Sequence, residues 1–136
     1  MSHLSLVLAQ INTLVGDIPG NTAKVLAAAR DALVQGPVDA VIFPELTLTG
    51  YPPEDLLLRP SLELRIERAL DELLAAQLPC ALIVGYPRFR DGQLYNMAGV
   101  IADGRLVGEY AKQQLPNYQV FDEKRYFAAG DKACVF

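Results

Sequence analysis

The sequence contains a single histidine, His3, close to its first residue. A Ser-His-Asp triad needs a histidine as its general base, and a histidine-rich metal site needs several of them. Both kinds of site are excluded, and no metal ligand is predicted. Chemistry in this chain has to rely on carboxylates, lysines and thiols.

Cysteine is also scarce. Cys80 and Cys134 are the two present, and both lie in apolar, strand-like sequence. Such residues are predicted to be buried free thiols in a reducing compartment, since a disulfide framework needs more cysteines in a short secreted chain. The expected location is therefore cytoplasmic.

Long apolar runs and basic stripes are absent as well. No apolar segment approaches the roughly 20 residues that span a bilayer. The 12 Lys and Arg residues are scattered and outnumbered by 16 acids, which leaves a formal net charge of −4. Neither a membrane nor a nucleic acid is expected as a partner. The first residues, Met-Ser-His-Leu, lack a basic region, so no signal peptide is expected.

The composition is that of a globular domain. The 136 residues are 51% hydrophobic and 21% charged, and no linker divides them, so one domain is predicted. The first part is typical of a βαβ unit, with strands at residues 4–11 and 40–43. Asn21 or Thr22 is expected to cap the helix between them, and Gly-Pro at residues 36–37 ends it.

The second part changes character. Apolar residues at helical spacing predict a helix at 61–76, and a buried strand follows it from residue 80. Asp-Gly pairs then predict two tight hairpins. The expected strands lie at residues 81–89, 93–102 and 105–111. The predicted fold class is α/β, with a mixed sheet, helices on one face and an open face that needs a partner layer.

Glu45 and Lys112 are the strongest candidates for function. Glu45 follows the strand at 40–43 directly after Pro44, and Lys112 stands at the exit of the last predicted strand. Functional side chains gather at strand ends in α/β sheets. The loop after Lys112 is long and aromatic, as in many binding sites. The alternative for both residues is an ordinary solvated side chain.

Three motifs resemble the nitrilase (carbon–nitrogen hydrolase) family. They are Phe-Pro-Glu-Leu at residues 43–46, Gly-Tyr-Pro-Pro-Glu-Asp-Leu at 50–56, and the segment 112–127, which begins Lys-Gln-Gln-Leu-Pro-Asn-Tyr. The two longer motifs are similar to one branch, the glutaminase domain of glutamine-dependent NAD⁺ synthetase. The resemblance runs from Leu4 onward and implies a nitrilase-like αββα sandwich.

The resemblance also implies roles in a Glu-Lys-Cys mechanism. Glu45 would act as general base, and Lys112 would stabilise the oxyanion. Glu123 would be a second carboxylate, although Asp122 beside it leaves that assignment open. The glutamine pocket is expected to include Tyr51, Tyr118 and Phe121.

No nucleophile is predicted among these residues. The family's cysteine stands in a Cys-Glu-Asp type sequence, whereas Cys134 precedes Val135 and Phe136. Residues 133–136 read as the beginning of a strand, so the sequence predicts a fragment that stops before the nucleophile. The fragment alone is expected to be inactive and to expose apolar sheet surface.

The resemblance implies a larger parent enzyme. Residues 1–136 would be part of its glutaminase domain, and an ATP-dependent NAD⁺ synthetase domain that uses Mg²⁺ would follow. Glutamine is the implied substrate, the synthetase domain of the same chain the implied partner, and a homo-oligomer the implied assembly. No cofactor is expected within these residues, since they contain no Gly-rich phosphate loop. Two alternatives remain: a free-standing amidase or carbamoylase of the same superfamily, and a non-catalytic assembly module.

Overall fold

The computed structural model describes residues 3–136; the N-terminal prediction on Met1 and Ser2 lies outside them. Its seven main elements alternate between strands and helices before ending in consecutive strands. They are β1 (Leu6–Leu8), α1 (Ile18–Gln35), β2 (Ala40–Ile42), α2 (Leu62–Ala75), β3 (Ala81–Arg90), β4 (Gln93–Ala102) and β5 (Arg105–Ala111). Two short 3₁₀ helices, Glu54–Leu58 and Glu123–Arg125, lie in the loops. The sequence pattern did not predict either of them.

The five strands form one mixed sheet in the order β1-β2-β3-β4-β5. β1, β2 and β3 are parallel neighbours, with Leu6 opposite Ala40 and Ala40 opposite Ala81. β3, β4 and β5 pair antiparallel. The predicted change from βα units to an antiparallel meander is therefore confirmed.

Tight turns connect the last three strands, as the two Asp-Gly pairs predict. Asp91 and Gly92 have φ of 51° and 75°, and Asp103 and Gly104 have φ of 53° and 68°. Two consecutive positive φ values define a type I′ turn, whose twist matches that of the flanking strands. Strand boundaries in this half agree with the prediction to within one residue.

Both helices cover the same face of the sheet. Side chains that alternate toward this face are fully buried, among them Val41, Leu82 and Val84. On the opposite face of β1, Leu6 and Leu8 remain 50% and 73% exposed. The predicted open face is present, and it is apolar. Neither α-helix within residues 3–136 combines the length and the apolar character needed to cross a bilayer.

The start of α1 differs from the prediction. The helix begins at Ile18, and the carboxylate of Asp17 caps it by accepting a hydrogen bond from the amide of Gly20 at 3.1 Å. Proline is compatible with the first helical turn, so Pro19 does not delay the helix. Asn21 is fully buried instead, where its side chain bonds the backbone of Leu14 and Leu48. Neither Asn21 nor Thr22 caps the helix.

Two further strand predictions need correction. β1 spans three residues rather than residues 4–11. Residues 133–136 do not form a strand, since no ladder of backbone hydrogen bonds to a neighbouring strand is present there. Cys134 is accordingly half-buried rather than buried, while Cys80 is buried as predicted.

Candidate functional site

The turn that carries Glu45 rests directly on strand β3. Beyond β2, Leu46 adopts a left-handed φ of 51°, and the hydroxyl of Thr47 donates to the carbonyl of Pro44. A Cβ atom on Gly85 would lie 2.5 Å from the amide nitrogen of Leu46, and the amide of Leu48 donates to the carbonyl of Gly85 at 3.1 Å. The lack of a side chain on Gly85 lets the turn approach this closely. This close approach places Glu45 at the end of the sheet, just beyond β2.

Lys112 reaches the same place from β5. Its amide donates to the carbonyl of Asn96 on β4 at 2.8 Å, which extends the ladder by one residue. Its ammonium nitrogen lies 3.0 Å from Oε1 of Glu45. Residues from the parallel and the antiparallel parts of the sheet therefore meet at one point.

Glu123 completes the cluster from the loop beyond Lys112. It begins a short 3₁₀ helix, its amide donates to Pro116, and its side chain is only 7% exposed. Oε1 accepts a hydrogen bond from Nζ of Lys112 at 3.0 Å. Oε2 lies equally close to Nζ but outside hydrogen-bonding geometry, and it has no other partner among residues 3–136. Asp122 is exposed, so Glu123 is the carboxylate that contacts Lys112.

The electrostatics of this cluster favour a permanent cation between two acids. Burial lowers the pKa of Lys112, but hydrogen bonds with Glu45 and Glu123 outweigh it and raise the net pKa. Burial raises the pKa of Glu123; the charge of Glu45 adds to this, and the hydrogen bond from Lys112 opposes it. Burial and the same two carboxylates raise the pKa of Tyr51. Lys112 stays charged at neutral pH, while Glu123 retains its proton to a higher pH than an ordinary carboxyl.

Asn96 belongs to the site, and sequence reasoning missed it. Its Nδ2 donates to Oε1 of Glu45 at 2.7 Å, and the residue is only 3% exposed. An asparagine in the middle of an apolar strand was a usable signal, because a buried amide needs hydrogen-bond partners. Gly85, inside the preceding strand, was a second such signal.

Two cavities flank the cluster. One, of about 240 Å³, is lined by Leu46, Tyr51, Glu123 and side chains of the segments 52–57 and 120–127. The other, of about 260 Å³, opens on the uncovered sheet face beside Glu45, Asn96 and Lys112 and is otherwise mostly apolar.

The structure divides the three predicted pocket aromatics. Tyr51 and Phe121 both line the first cavity. Tyr118 does not; it is 63% exposed and meets the ring of Phe121 edge to face, with centroids 5.6 Å apart. Tyr118 therefore supports Phe121 rather than lining the cavity.

Neither described cysteine lies in this cluster. Cys80 stands at the start of β3, where burial raises the pKa of its thiol and so disfavours the reactive thiolate. Sγ of Cys134 lies 3.2 Å from the position that a Cβ on Gly108 would occupy, against the middle of β5. Neither thiol lines either of the two cavities.

The described residues do not fit ATP. A phosphate site of the usual kind needs free amides at a helix N-terminus behind a Gly-rich loop. The carboxylate of Asp17 already caps α1, and Glu63 occupies the first turn of α2. Both acids would repel a phosphate.

Comparison with known proteins settles the family. Residues 6–136 match the carbon-nitrogen hydrolase family. The chain belongs to that family. It is also similar to proteins named glutamine-dependent NAD(+) synthetase: it is 44% identical to that of Thermotoga maritima over 138 residues and 41% identical to that of Acinetobacter baylyi over 137 residues. These alignments cover 99% and 100% of this chain but only 23% and 25% of those proteins, so the chain spans about a quarter of their length.

Solved structures show the same fold. The glutamine-dependent NAD⁺ synthetase of Acinetobacter baumannii, solved in complex with ADP, superimposes with a TM-score of 0.90 and 44% identity over 96% of this chain and 25% of that one. An amidase from Nesterenkonia sp. superimposes with a TM-score of 0.83 at 24% identity, over 96% of this chain and 49% of that one. The predicted fold class is confirmed: the chain has part of a nitrilase-like α/β fold.

Proposed function

We propose that this chain is the N-terminal part of a glutaminase domain, which hydrolyses the side-chain amide of glutamine and delivers ammonia to a synthetase domain. The observation that carries the proposal is the ammonium of Lys112, held 3.0 Å from both Glu45 and Glu123 beside two cavities. Similarity to proteins named glutamine-dependent NAD(+) synthetase supplies the substrate class.

Glu45 serves as the general base in this proposal. It takes the proton of a cysteine thiol, and the resulting thiolate attacks the amide carbon of glutamine. The proton passes to the departing nitrogen as the C–N bond breaks, which releases ammonia and leaves a thioester. Glu45 then takes a proton from the water that attacks the thioester; the C–S bond breaks, glutamate is released, and the proton passes to the cysteine sulfur. The 42% exposure of its side chain leaves room for these partners.

Lys112 stabilises the oxyanion of both tetrahedral intermediates. A fixed donor of this kind contributes about 3–4 kcal/mol to lowering the barrier. Glu123 holds Lys112 in place, because it is buried and contacts the ammonium through both oxygens. Tyr51 and Phe121 line the glutamine pocket, with Tyr118 behind Phe121.

The nucleophilic cysteine comes from chain outside these residues. Cys80 and Cys134 do not line the cavities beside Glu45, and the cavity on the open sheet face leaves space for a further element. The same parent chain contains the synthetase domain, in which ATP and Mg²⁺ activate deamido-NAD⁺ for attack by ammonia. The 136-residue chain alone therefore lacks turnover.

The test compares the full-length product of the parent gene with the isolated 136 residues. Ammonia release from L-glutamine is measured for both, with and without ATP and deamido-NAD⁺. Turnover is expected in the full-length protein and is expected to fall about 10²–10⁴-fold in its Glu45→Gln variant. Glu72→Gln, at an exposed position of α2 outside both cavities, is the matched control and should retain activity.

Three outcomes contradict the proposal. Full activity of Glu45→Gln rules out the base, and loss of turnover in Cys134→Ser rules out an external nucleophile. Hydrolysis of simple amides or carbamoyl compounds without any action on glutamine would identify a free-standing amidase or carbamoylase instead.

A further inference from the structure

One residue of β4 contacts both Glu45 and Lys112. Nδ2 of Asn96 donates to Oε1 of Glu45 at 2.7 Å, and the carbonyl of Asn96 accepts the amide of Lys112 at 2.8 Å. Glu45 arrives from the turn after β2, and Lys112 follows β5. Asn96 lies in β4, which separates β5 from the rest of the sheet. Asn96 is therefore the residue of β4 whose side chain bonds Glu45 and whose backbone carbonyl bonds Lys112.

The chemistry of the contact defines the orientation of the amide. An ionised carboxylate only accepts hydrogen bonds, so the asparagine must present its NH₂ group to Glu45. Burial of Asn96 at 3% exposure holds the amide in place and keeps water from competing with it. A hydrogen bond to a charged acceptor is also stronger than one between neutral groups.

The two donors select one oxygen of Glu45. Asn96 and Lys112 both bond Oε1, at 2.7 and 3.0 Å, and no donor within residues 3–136 is hydrogen-bonded to Oε2. Oε2 is thus the oxygen available to accept a proton from a nucleophile or a water. Lys112 alone would not give this selection, because an ammonium is a point charge that does not distinguish the two carboxylate oxygens, whereas the amide of Asn96 is a directional donor.

We propose that Asn96 is a positioning residue that holds the carboxylate of Glu45 with Oε2 free and keeps it next to the ammonium of Lys112. This inference rests on the proposed glutaminase function and deepens it. Neither Asn96 nor its bond to Glu45 is used in the chemical steps themselves, so its effect on the rate is transmitted through the carboxylate. A misplacement of about 1 Å at a reacting group can reduce the rate roughly 100-fold.

The first test is kinetic and uses the full-length protein. Asn96→Leu retains the volume and removes the donor; it is expected to reduce kcat for glutamine hydrolysis roughly 100-fold and to leave KM within about threefold. Tyr95→Phe is the matched control on the same strand, since within residues 3–136 the hydroxyl of Tyr95 bonds only Gln93. It should leave both constants unchanged. A kcat for Asn96→Leu within about threefold of the parent overturns the proposal.

A double-mutant cycle shows whether Asn96 acts through Glu45. If it does, adding Asn96→Leu to Glu45→Gln produces little further loss, because the group it positions is already gone. Losses that multiply in the double variant overturn the proposal, since they indicate an independent structural effect. Should Asn96→Leu fail to fold, Asn96→Ser, whose hydroxyl is too short to reach Glu45, is scored in the same way.

A crystal structure of Asn96→Leu separates this inference from the proposed function. The carboxylate of Glu45 is expected to rotate away from Lys112 in this variant and to keep its place in Tyr95→Phe. If the parent protein hydrolyses no glutamine, the proposed function fails, yet the displacement of Glu45 still decides whether Asn96 holds it. An unmoved carboxylate overturns the inference.

Discussion

Lys112 and Glu45 are 67 positions apart in the chain, and their charged groups meet at 3.0 Å. The contact joins the end of the parallel part of the sheet to the end of the antiparallel part. A buried second acid, Glu123, contacts the same ammonium. This cation between two acids is the main charged feature of the site.

Replacing Lys112 with methionine is expected to reduce kcat for glutamine hydrolysis at least about 100-fold, because the oxyanion loses its cation. Lys24→Met is the matched control, since Lys24 is exposed and, in the part of the chain that the structure describes, its ammonium bonds only the carbonyl of Asn12. Steady-state kinetics on the full-length protein measures both variants. A Lys112→Met enzyme as active as Lys24→Met would contradict the assigned role.

Glu123 is expected to make stability depend on pH. Burial, followed by the charge of Glu45, raises its pKa above the ordinary 4.5 despite the hydrogen bond from Lys112. The folded state therefore holds this proton more tightly than the unfolded chain. The contribution to stability is complete below pH 4.5 and is lost as pH rises through the raised pKa.

The measurement is urea unfolding across this pH range, comparing the parent protein with Glu123→Gln. Relative to the variant, the parent is expected to lose stability as the pH rises. Asp122→Asn, at the exposed neighbouring position, provides the control and should parallel the parent. The prediction fails if the free energy of unfolding of the unmutated protein rises relative to that of Glu123→Gln as the pH rises.

Gly85→Ala is expected to damage both stability and the site. Its new methyl group would lie 2.5 Å from Leu46 N and 3.0 Å from the carbonyl of Pro44, and backbone atoms cannot move aside cheaply. Overpacking of this kind costs about 1–3 kcal/mol. Because the displaced turn carries Glu45, kcat should fall as well.

Gly108→Ala is the matched strand glycine for this comparison. Its methyl group would meet Sγ of Cys134 at 3.2 Å, a contact that the largely exposed segment around Cys134 can relieve. Thermal unfolding and kinetics on both variants provide the comparison. Equal losses of stability and of kcat in Gly85→Ala and Gly108→Ala would contradict the prediction that Gly85 is the more sensitive position because of its contact with the turn.

Glu109 anchors the far side of the meander. It accepts hydrogen bonds from Tyr86 and Arg88, each at 2.7 Å, and pairs with Arg90 at 2.5 Å. Glu109→Gln removes the counter-charge that the two arginines share, leaving Arg88 its 3.7 Å pair with Glu63, and is expected to cost on the order of 2–3 kcal/mol. Hydrogen exchange over peptides of β4 and β5 should locate the loss.

The pH dependence of the Glu109 effect has the opposite sign to that of Glu123. Burial raises the pKa of Glu109, but the hydrogen bonds from Arg88 and Tyr86 outweigh it, and the net pKa is lowered. Its contribution is therefore present above pH 4.5 and disappears as pH falls through the lowered pKa. The difference in free energy of unfolding between the unmutated protein and Glu109→Gln should shrink under acid conditions. A difference that grows there would be inconsistent with the hydrogen bonds and ion pairs assigned to Glu109.

Local sequence patterns predicted the elements well where local physics decides them. Asp-Gly pairs form the two tight turns, since few other residues tolerate consecutive positive φ. Helical spacing of apolar residues predicted α2 at 61–76, against Leu62–Ala75 in the structure. The cap of α1 was predicted wrongly because Asp17, before Pro19, competes for the same helix start.

The sequence by itself determined the fold class, the family and the identity of Glu45, Lys112 and Glu123 as candidates, because strand patterns and motifs are written locally. Only the tertiary structure decided that Glu123 rather than Asp122 contacts Lys112, that Tyr118 stands behind Phe121, and that Asn96 bonds Glu45. The sheet brings Asn96 and Glu45 together across 51 positions of chain, and the path of the loop beyond Lys112 decides the other two contacts. No local sequence pattern encodes these contacts, so only the packing of the folded chain could show them.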